Sequence, residues 1–365
     1  MDDRVRDHAA VLVDWSARIE AGDNVVVNVA EGAHELGVAV AEKLGERGAR
    51  RATMYDSDEM SRAYLRTHDG DFDGSPEHLL GLYENADAVL NLGGTRNTSA
   101  TVDVPAEKRQ ASATASKELR EVVLNTDWIN TIHPTRALAQ RAGMSYEGYQ
   151  DFVYDAVLRD WEALAEEMAR VKEILDEGSE VRIETEGTDL SMSIEKRTAV
   201  NSAASVAYDS HNLPSGEVFT APDGTEGTVT FDVPMTIRGR RVRDARLDFE
   251  NGEVVDWETT AGEGALREVI ETDDGARRLG ELGIGMNRGI SRPTDSILFD
   301  EKMARAVHLA LGRAYDACLP EDETGTDSAV HVDLITDMRG DSELVVDGET
   351  IQRDGIFEWE SEGET

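Results

Sequence analysis

The spacing of hydrophobic residues along the chain changes near residue 178. Before it, short apolar runs alternate with helical patterns. Val5, Leu12, Trp15 and Ile19 recur at helical spacing over residues 3–20, and Gly22 follows as a stop. Val25-Val26-Val27-Asn28-Val29 has strand length and is apolar on both faces, as in a parallel sheet covered on both sides. An amphipathic helix is expected over 34–47, closed by Gly48, and a short strand at Ala52-Thr53-Met54-Tyr55. Ser75 and Pro76 open another helix as N-cap and first helical residue, and Ala88–Leu92 is a third strand that ends in Gly93-Gly94. Strands alternating with helices indicate an open, mostly parallel α/β sheet. A long helical pattern covers 146–177, with Phe152, Val153, Val157, Trp161, Leu164, Met168, Val171 and Leu175 on its buried face; Gly178 ends it. The division expected is therefore 1–178 and 179–365.

After Gly178 the period becomes two. Val181, Ile183 and Thr185, then Leu190, Met192 and Ile194, alternate with polar residues around Glu186-Gly187-Thr188-Asp189. Val229 to Ile237 and Ala245 to Phe249 alternate likewise, and Asn251-Gly252 and Asp347-Gly348 are two-residue hairpin signals. Helices are expected at about 263–280 and 299–315, giving an antiparallel α+β region. The acidic end after Trp359 is expected to fray.

Charge narrows the partners. Of 365 residues, 75 are Asp or Glu against 37 Lys or Arg, for a net charge of −38, and the acid is spread along the whole chain. Such a polyanion disfavours nucleic acid and anionic membrane. Only 6 of the basic residues are lysine, and aromatics make up 5%. This composition points to a salt-loaded cytoplasm, where the Debye length shrinks from about 10 Å at ~0.1 M to about 3 Å near 1 M. A single cysteine, Cys318, excludes an internal disulfide and a Cys-rich zinc site. The charged start Met1-Asp2-Asp3-Arg4 is no signal peptide, and no apolar run is long enough to span a membrane, so a cytoplasmic protein is expected.

The candidate chemistry lies in the second half. In Val330-His331-Val332-Asp333-Leu334 the imidazole and carboxylate are two apart, so on a strand they share a face; taken alone, a surface-facing polar pair on a half-buried strand is the simpler explanation. His308 falls in the helix expected over 299–315. Glu301, His308 and Tyr315 there are seven apart, share one stripe, and are separated by about 10.5 Å of rise per step. Glu217 sits in Leu213-Pro214-Ser215-Gly216-Glu217-Val218-Phe219, and Glu281 in Leu279-Gly280-Glu281-Leu282-Gly283-Ile284; a carboxylate among such neighbours calls for a cation if buried. Gly93-Gly94-Thr95 lacks the spacing of a dinucleotide or P-loop signature. Together, Glu217, Glu281, Glu301, His308, His331 and Asp333 offer four carboxylates and two imidazoles, suited to Zn, Co or Mn. One catalytic zinc normally takes three protein ligands, so six suit two divalent ions about 3.5–4 Å apart.

These segments resemble the aminopeptidase T/aminopeptidase S family, also called the thermophilic metalloprotease family. The resemblance is carried in order by LPSGEVFTAP (213–222), RRLGELGIG (277–285), ILFDEK (297–302), HLALGRAY (308–315) and HVDL (331–334). Weaker echoes are HPTRALAQRAGMSYEGYQDFV (133–153) and GTDL (187–190). The resemblance implies an α/β N-terminal domain, a C-terminal domain with a dinuclear metal site, a homodimer, and removal of N-terminal residues from peptides with a free N-terminus. It implies Glu217, Glu281, Glu301, His308, His331 and Asp333 as metal ligands, Glu281 as the bridge and Tyr315 as the catalytic tyrosine. The gap of seven from Glu301 to His308 is longer than in many members. The mechanism implied is attack by a hydroxide held between the ions, with Tyr315 donating to the oxyanion. Another dinuclear amidase or dipeptidase, or a non-catalytic metal-binding dimer, remains an alternative on the same residues.

Overall fold

The computed structural model describes residues 1–69 and 71–361. Two compact units emerge: Met1–Arg159 with Ala204–Pro214, and Asp160–Ala203 with Ser215–Thr365. The chain thus first passes from one unit to the other at Asp160, and residues 204–214 return to the first.

The first unit is built on a parallel sheet. Its strands are β1 (Asn24–Ala30), β2 (Arg50–Asp56), β3 (Ala88–Gly93) and β4 (Asp127–Ile132), with Asn212–Leu213 as a short fifth strand. The order is β2, β1, β3, β4, then Asn212–Leu213, with every pair parallel. The apolar run of β1 is buried throughout its centre, as a parallel strand flanked on both sides should be. Helix α1 (Asp3–Ala10) continues as a π-helical segment, Val11–Ser16, and stops short of the expected end at 20. Helix α2 (His34–Arg47) has the expected bounds, because Gly48 adopts φ +75° and closes it. Ser75 is not an N-cap. Its hydroxyl donates to the carbonyl of Ala115, and the helix starts at Glu77 after Pro76.

The long helical pattern at 146–177 is two helices, α3 (Tyr146–Val157) and α4 (Trp161–Glu177). All eight residues of the expected buried face are buried, so the periodicity is right. The break comes at Leu158, which leaves the helical region with ψ 55°, and at Asp160, whose carboxylate caps the amide of Ala163.

The second unit is antiparallel, as its period-two pattern requires. One sheet of eight strands runs Glu253–Glu258, Ala245–Glu250, Asp223–Phe231, Thr188–Ser193, Glu180–Thr185, Glu343–Val346, Glu349–Arg353, Ile356–Phe357. Among its tight hairpins are the two expected at Asn251-Gly252 and Asp347-Gly348, where all four residues have positive φ; Glu186-Gly187 and Asp354-Gly355 make two more. A second sheet contains β5 (Val200–Ser202), β6 (Glu217–Thr220), β7 (Leu279–Gly285), β8 (Ala306–Gly312) and β9 (His331–Asp337), in the order β9, β8, β7, β6, β5. Helix α4 packs on β5 and β6, which makes it part of this unit.

Two expected helices are corrected. The one at 263–280 ends at Ile270, and residues from Leu279 are strand β7. The one at 299–315 does not exist: Ile297–Asp300 is a single helical turn, Arg305 turns the chain at φ +64°, and Ala306–Gly312 is β8. β8 lies between β7 and β9 with every residue buried, so it shows no alternation from which to read a strand. Of the acidic end after Trp359, residues 362–365 lie outside the described residues, while Glu358–Ser361 forms a helical turn. Among the described residues no helix is long and apolar enough to cross a membrane.

Candidate metal centre

The second sheet gathers its functional side chains by register. Glu281 on β7 stands opposite Ala310 on β8, and Ala310 opposite Asp333 on β9. His308 stands opposite Gly283, His331 opposite Gly312, and Glu217 opposite Gly285. Directly opposed residues, and residues two apart on one strand, share a face. Glu217, Glu281, His308, His331 and Asp333 therefore project from the same face of four neighbouring strands.

Each of these side chains has a glycine or alanine across one side of the ladder. At Gly283 the missing side chain makes room for the imidazole, since a Cβ there would lie 2.0 Å from Cε1 of His308. Gly283 and Ala310 shape the centre without carrying any chemistry. The sequence did hold a signal for them: small residues at alternate positions in LGELGIG and AVHLALG.

The contacts form one chain. Nε2 of His308 is 2.8 Å from Oε1 of Glu281 and 3.8 Å from Oε2 of Glu217. Nε2 of His331 is 3.4 Å from Oε2 of Glu281 and 3.5 Å from Oδ1 of Asp333. Glu281, His331 and Asp333 each offer a ligand atom, and these lie within 4.8 Å of one another. The Lys302 ammonium contacts Oε1 of Glu301 and lies 3.5 Å from Oε1 of Glu217, which ties Glu301 to the rest. Glu301 is thus joined to His308 by a turn and a strand rather than by a helical stripe. Glu217, Glu281 and His308 are 6%, 5% and 1% exposed, and Lys302 is fully buried.

Both imidazoles are held the same way. Nδ1–H of His308 donates to the carbonyl of Glu301 at 3.0 Å, and Nδ1–H of His331 to that of Arg313 at 2.8 Å. A carbonyl only accepts, so Nδ1 carries a proton in each ring and Nε2 is turned toward the carboxylates. This is how a ligating histidine is ordinarily oriented.

Burial opposes charge on all of these groups, and their mutual contacts outweigh it. Burial lowers His331, but hydrogen bonds with Asp333 and Glu281 push it up to about 11. His308 is also raised, burial being overcome by Glu281. Burial raises the Glu281 and Asp333 carboxyls, but hydrogen bonding with the imidazoles holds both below the usual carboxylate range. The carboxylates thus hold both imidazoles toward their charged forms, so positive charge is favoured among them. A divalent cation would supply that charge instead.

The residues fit such a cation. Carboxylate oxygens and imidazole nitrogens suit Zn, Co or Mn. Oε2 of Glu217 is buried and accepts no hydrogen bond from the described residues, a costly state that a cation relieves. The two oxygens of Glu281 face different imidazoles, as a carboxylate shared by two ions would.

Tyr315 follows β8 by three residues and caps a short 3-10 turn, Asp316–Cys318, rather than ending the expected long helix. Its ring instead packs on His331, centroids 4.9 Å apart, and on Phe219 at 5.7 Å. It is 48% exposed, while burial and the carboxylates of Glu281, Asp333 and Glu217 raise its phenol.

The thermophilic metalloprotease (M29) family matches residues 1–357. Aminopeptidase 2 from Geobacillus stearothermophilus is 28% identical, covering 96% of this chain and 95% of its own. Aminopeptidase T from Thermus thermophilus is 27% identical over 93% of each chain. The structure of wild-type AmpT from Thermus thermophilus superposes with a TM-score of 0.84 at 25% identity, covering 98% of this chain and 99% of that one. A 2,5-dihydroxypyridine dioxygenase from Pseudomonas putida KT2440 shares the fold alone, with a TM-score of 0.56 at 14% identity over 97% of this chain and 96% of that one.

Proposed function

The chain belongs to the thermophilic metalloprotease (M29) family, and from that premise we propose that it is a metal-dependent aminopeptidase whose centre takes two divalent ions. The observation that carries this reading is the convergence of Glu217, Glu281, His308, His331 and Asp333 on one sheet face, with a carboxylate oxygen of Glu217 left buried and unbonded. Glu281, His331 and Asp333 would hold one ion. Glu217, Glu301 and His308 would hold the other, with Glu281 shared. Six donors exceed what a single catalytic zinc takes from its protein.

When bound, the ions supply Lewis acidity that activates water and polarises the scissile carbonyl. The protein's residues do the rest. The backbone carbonyls of Glu301 and Arg313 fix both imidazoles, so the centre is organised before substrate arrives. The raised Tyr315 phenol keeps its proton at neutral pH and can donate it as a hydrogen bond to a developing oxyanion. Surplus carboxylates attract the free ammonium group of a peptide, which places its first carbonyl at the centre. An internal peptide bond has no such anchor. The family resemblance supports a homodimer. The acidic surface and a single buried cysteine support a salt-rich, reducing cytoplasm.

The test is a matched pair of peptides, free and N-acetylated, assayed in multimolar KCl with chelator and with added Co, Mn or Zn. Release of one residue from the free peptide only, abolished by chelator, is expected. Comparable cleavage of both peptides would make this a general amidase or endopeptidase. Bound metal without turnover would favour a non-catalytic role.

A further inference from the structure

Resting on the two-ion reading, we propose that Lys302 is an internal cation that makes the two metal positions unequal, so that the position beside Glu217, Glu301 and His308 fills second and empties first. Lys302 is among the largest wholly buried side chains of the protein, with 0% exposure. In the sequence it is one charge in Asp300-Glu301-Lys302, a pattern that reads as surface. A buried ammonium is tolerated only where carboxylates pair with it, and here both partners are candidate ligands of the same ion.

Three consequences follow from where it lies. Its contacts engage Oε1 of Glu217 and Oε1 of Glu301, so each carboxylate has one oxygen left for a metal. For Glu217 that oxygen is Oε2, the one without a hydrogen bond, 3.8 Å from Nε2 of His308. The ammonium also repels any cation placed there, in a buried site where screening by salt is weak. Among the described residues the Glu281, His331 and Asp333 group pairs with the imidazoles and with no lysine or arginine, and the Lys302 charge reaches it only at Asp333, from beyond ion-pair distance. Finally, with that position empty, Lys302 still neutralises part of the charge of Glu217 and Glu301. The half-loaded protein then keeps its packing instead of burying two bare carboxylates.

The experiment is a calorimetric titration of the metal-free protein with cobalt(II) in multimolar KCl. Wild type is expected to bind in two steps whose dissociation constants differ by at least about tenfold, or about 1.4 kcal/mol. Lys302→Met, close in length but uncharged, should tighten the second step by at least about tenfold and lower the melting temperature of the metal-free protein. Lys302→Gln, which keeps a donor but no charge, should tighten it likewise. Two equal steps in wild type would overturn the inference without any variant, as would a change in the Met variant that the Gln variant does not share. If neither variant folds without metal, the wild-type step ratio decides. No cobalt uptake by wild type would instead overturn the two-ion reading itself, and this inference with it.

Discussion

Each compact unit buries a histidine completely, and the two are held in opposite states. In the first unit, Nε2–H of His8 donates to the Thr131 hydroxyl at 2.7 Å, because that hydroxyl commits its own proton to the carbonyl of Leu213. Its Nδ1 has no hydrogen bond among the described residues, and burial pushes the ring down to about 3. In the second unit His308 is buried as deeply, yet it is anchored through Nδ1, faces Glu281 through Nε2, and is raised. Burial alone makes a histidine neutral and structural. Burial on a sheet face shared with carboxylates makes it part of a site that wants positive charge.

The largest test of this contrast is a pair of substitutions. Glu281→Gln keeps the shape of the side chain but removes the charge that faces both imidazoles. It should retain the fold in high salt, lose bound metal, and lower kcat/KM by about a thousandfold or more, about 4 kcal/mol of barrier. His8→Ala should do the reverse, costing about 2–4 kcal/mol of stability while metal content and turnover stay near wild type. Metal analysis, kinetics and melts in multimolar KCl read all three quantities. Metal loss in His8→Ala, or normal metal content in Glu281→Gln, would break the contrast.

A smaller effect lies in the pH dependence of the metal-free protein. His8 has a depressed folded value, about 3 against the ordinary 6.5. The unfolded chain therefore takes up a proton below about 6.5 that the folded one refuses, and stability falls with pH by about 1.4 kcal/mol per unit at most. His331 has the opposite sign. Its folded value is about 11, so its contribution is complete below about 6.5 and is lost as the pH rises toward 11. Thermal melts across this range should have a shallower acid slope in His8→Phe, the buried His133 supplying part of the remainder, and a shallower alkaline slope in His331→Gln, where the raised His308 supplies the rest. An alkaline slope unchanged in His331→Gln would show that its proton is not shared with Glu281 and Asp333.

The two units also differ in how far the sequence disclosed them. The α/β order of the first was legible because glycines end its elements, with Gly48 closing α2 at the expected residue. The pair His331 and Asp333 was legible because a spacing of two means one face on any strand. Glu217 and Glu281 stood out as acids in apolar company. β8 was not legible: a central strand buried along its whole length carries no period, and its apolar run reads as helix. The burial of Lys302 was hidden for a related reason, since it depends on Glu217 arriving from a strand 85 residues earlier. Local pattern shows which face a residue takes on its own element. Which elements become neighbours is settled by long-range pairing, and the centre depends on that pairing.

The two-ion centre proposed above draws its side chains from four neighbouring strands, β6 to β9, and from the turn before β8. The most direct measurement is an anomalous difference map at the zinc edge, from crystals of the full chain grown in high salt and equilibrated with excess zinc. Two peaks per chain are predicted, one among Glu281, His331 and Asp333 and one among Glu217, Glu301 and His308, with Glu281 between them. A single peak, or peaks away from these side chains, would contradict the account.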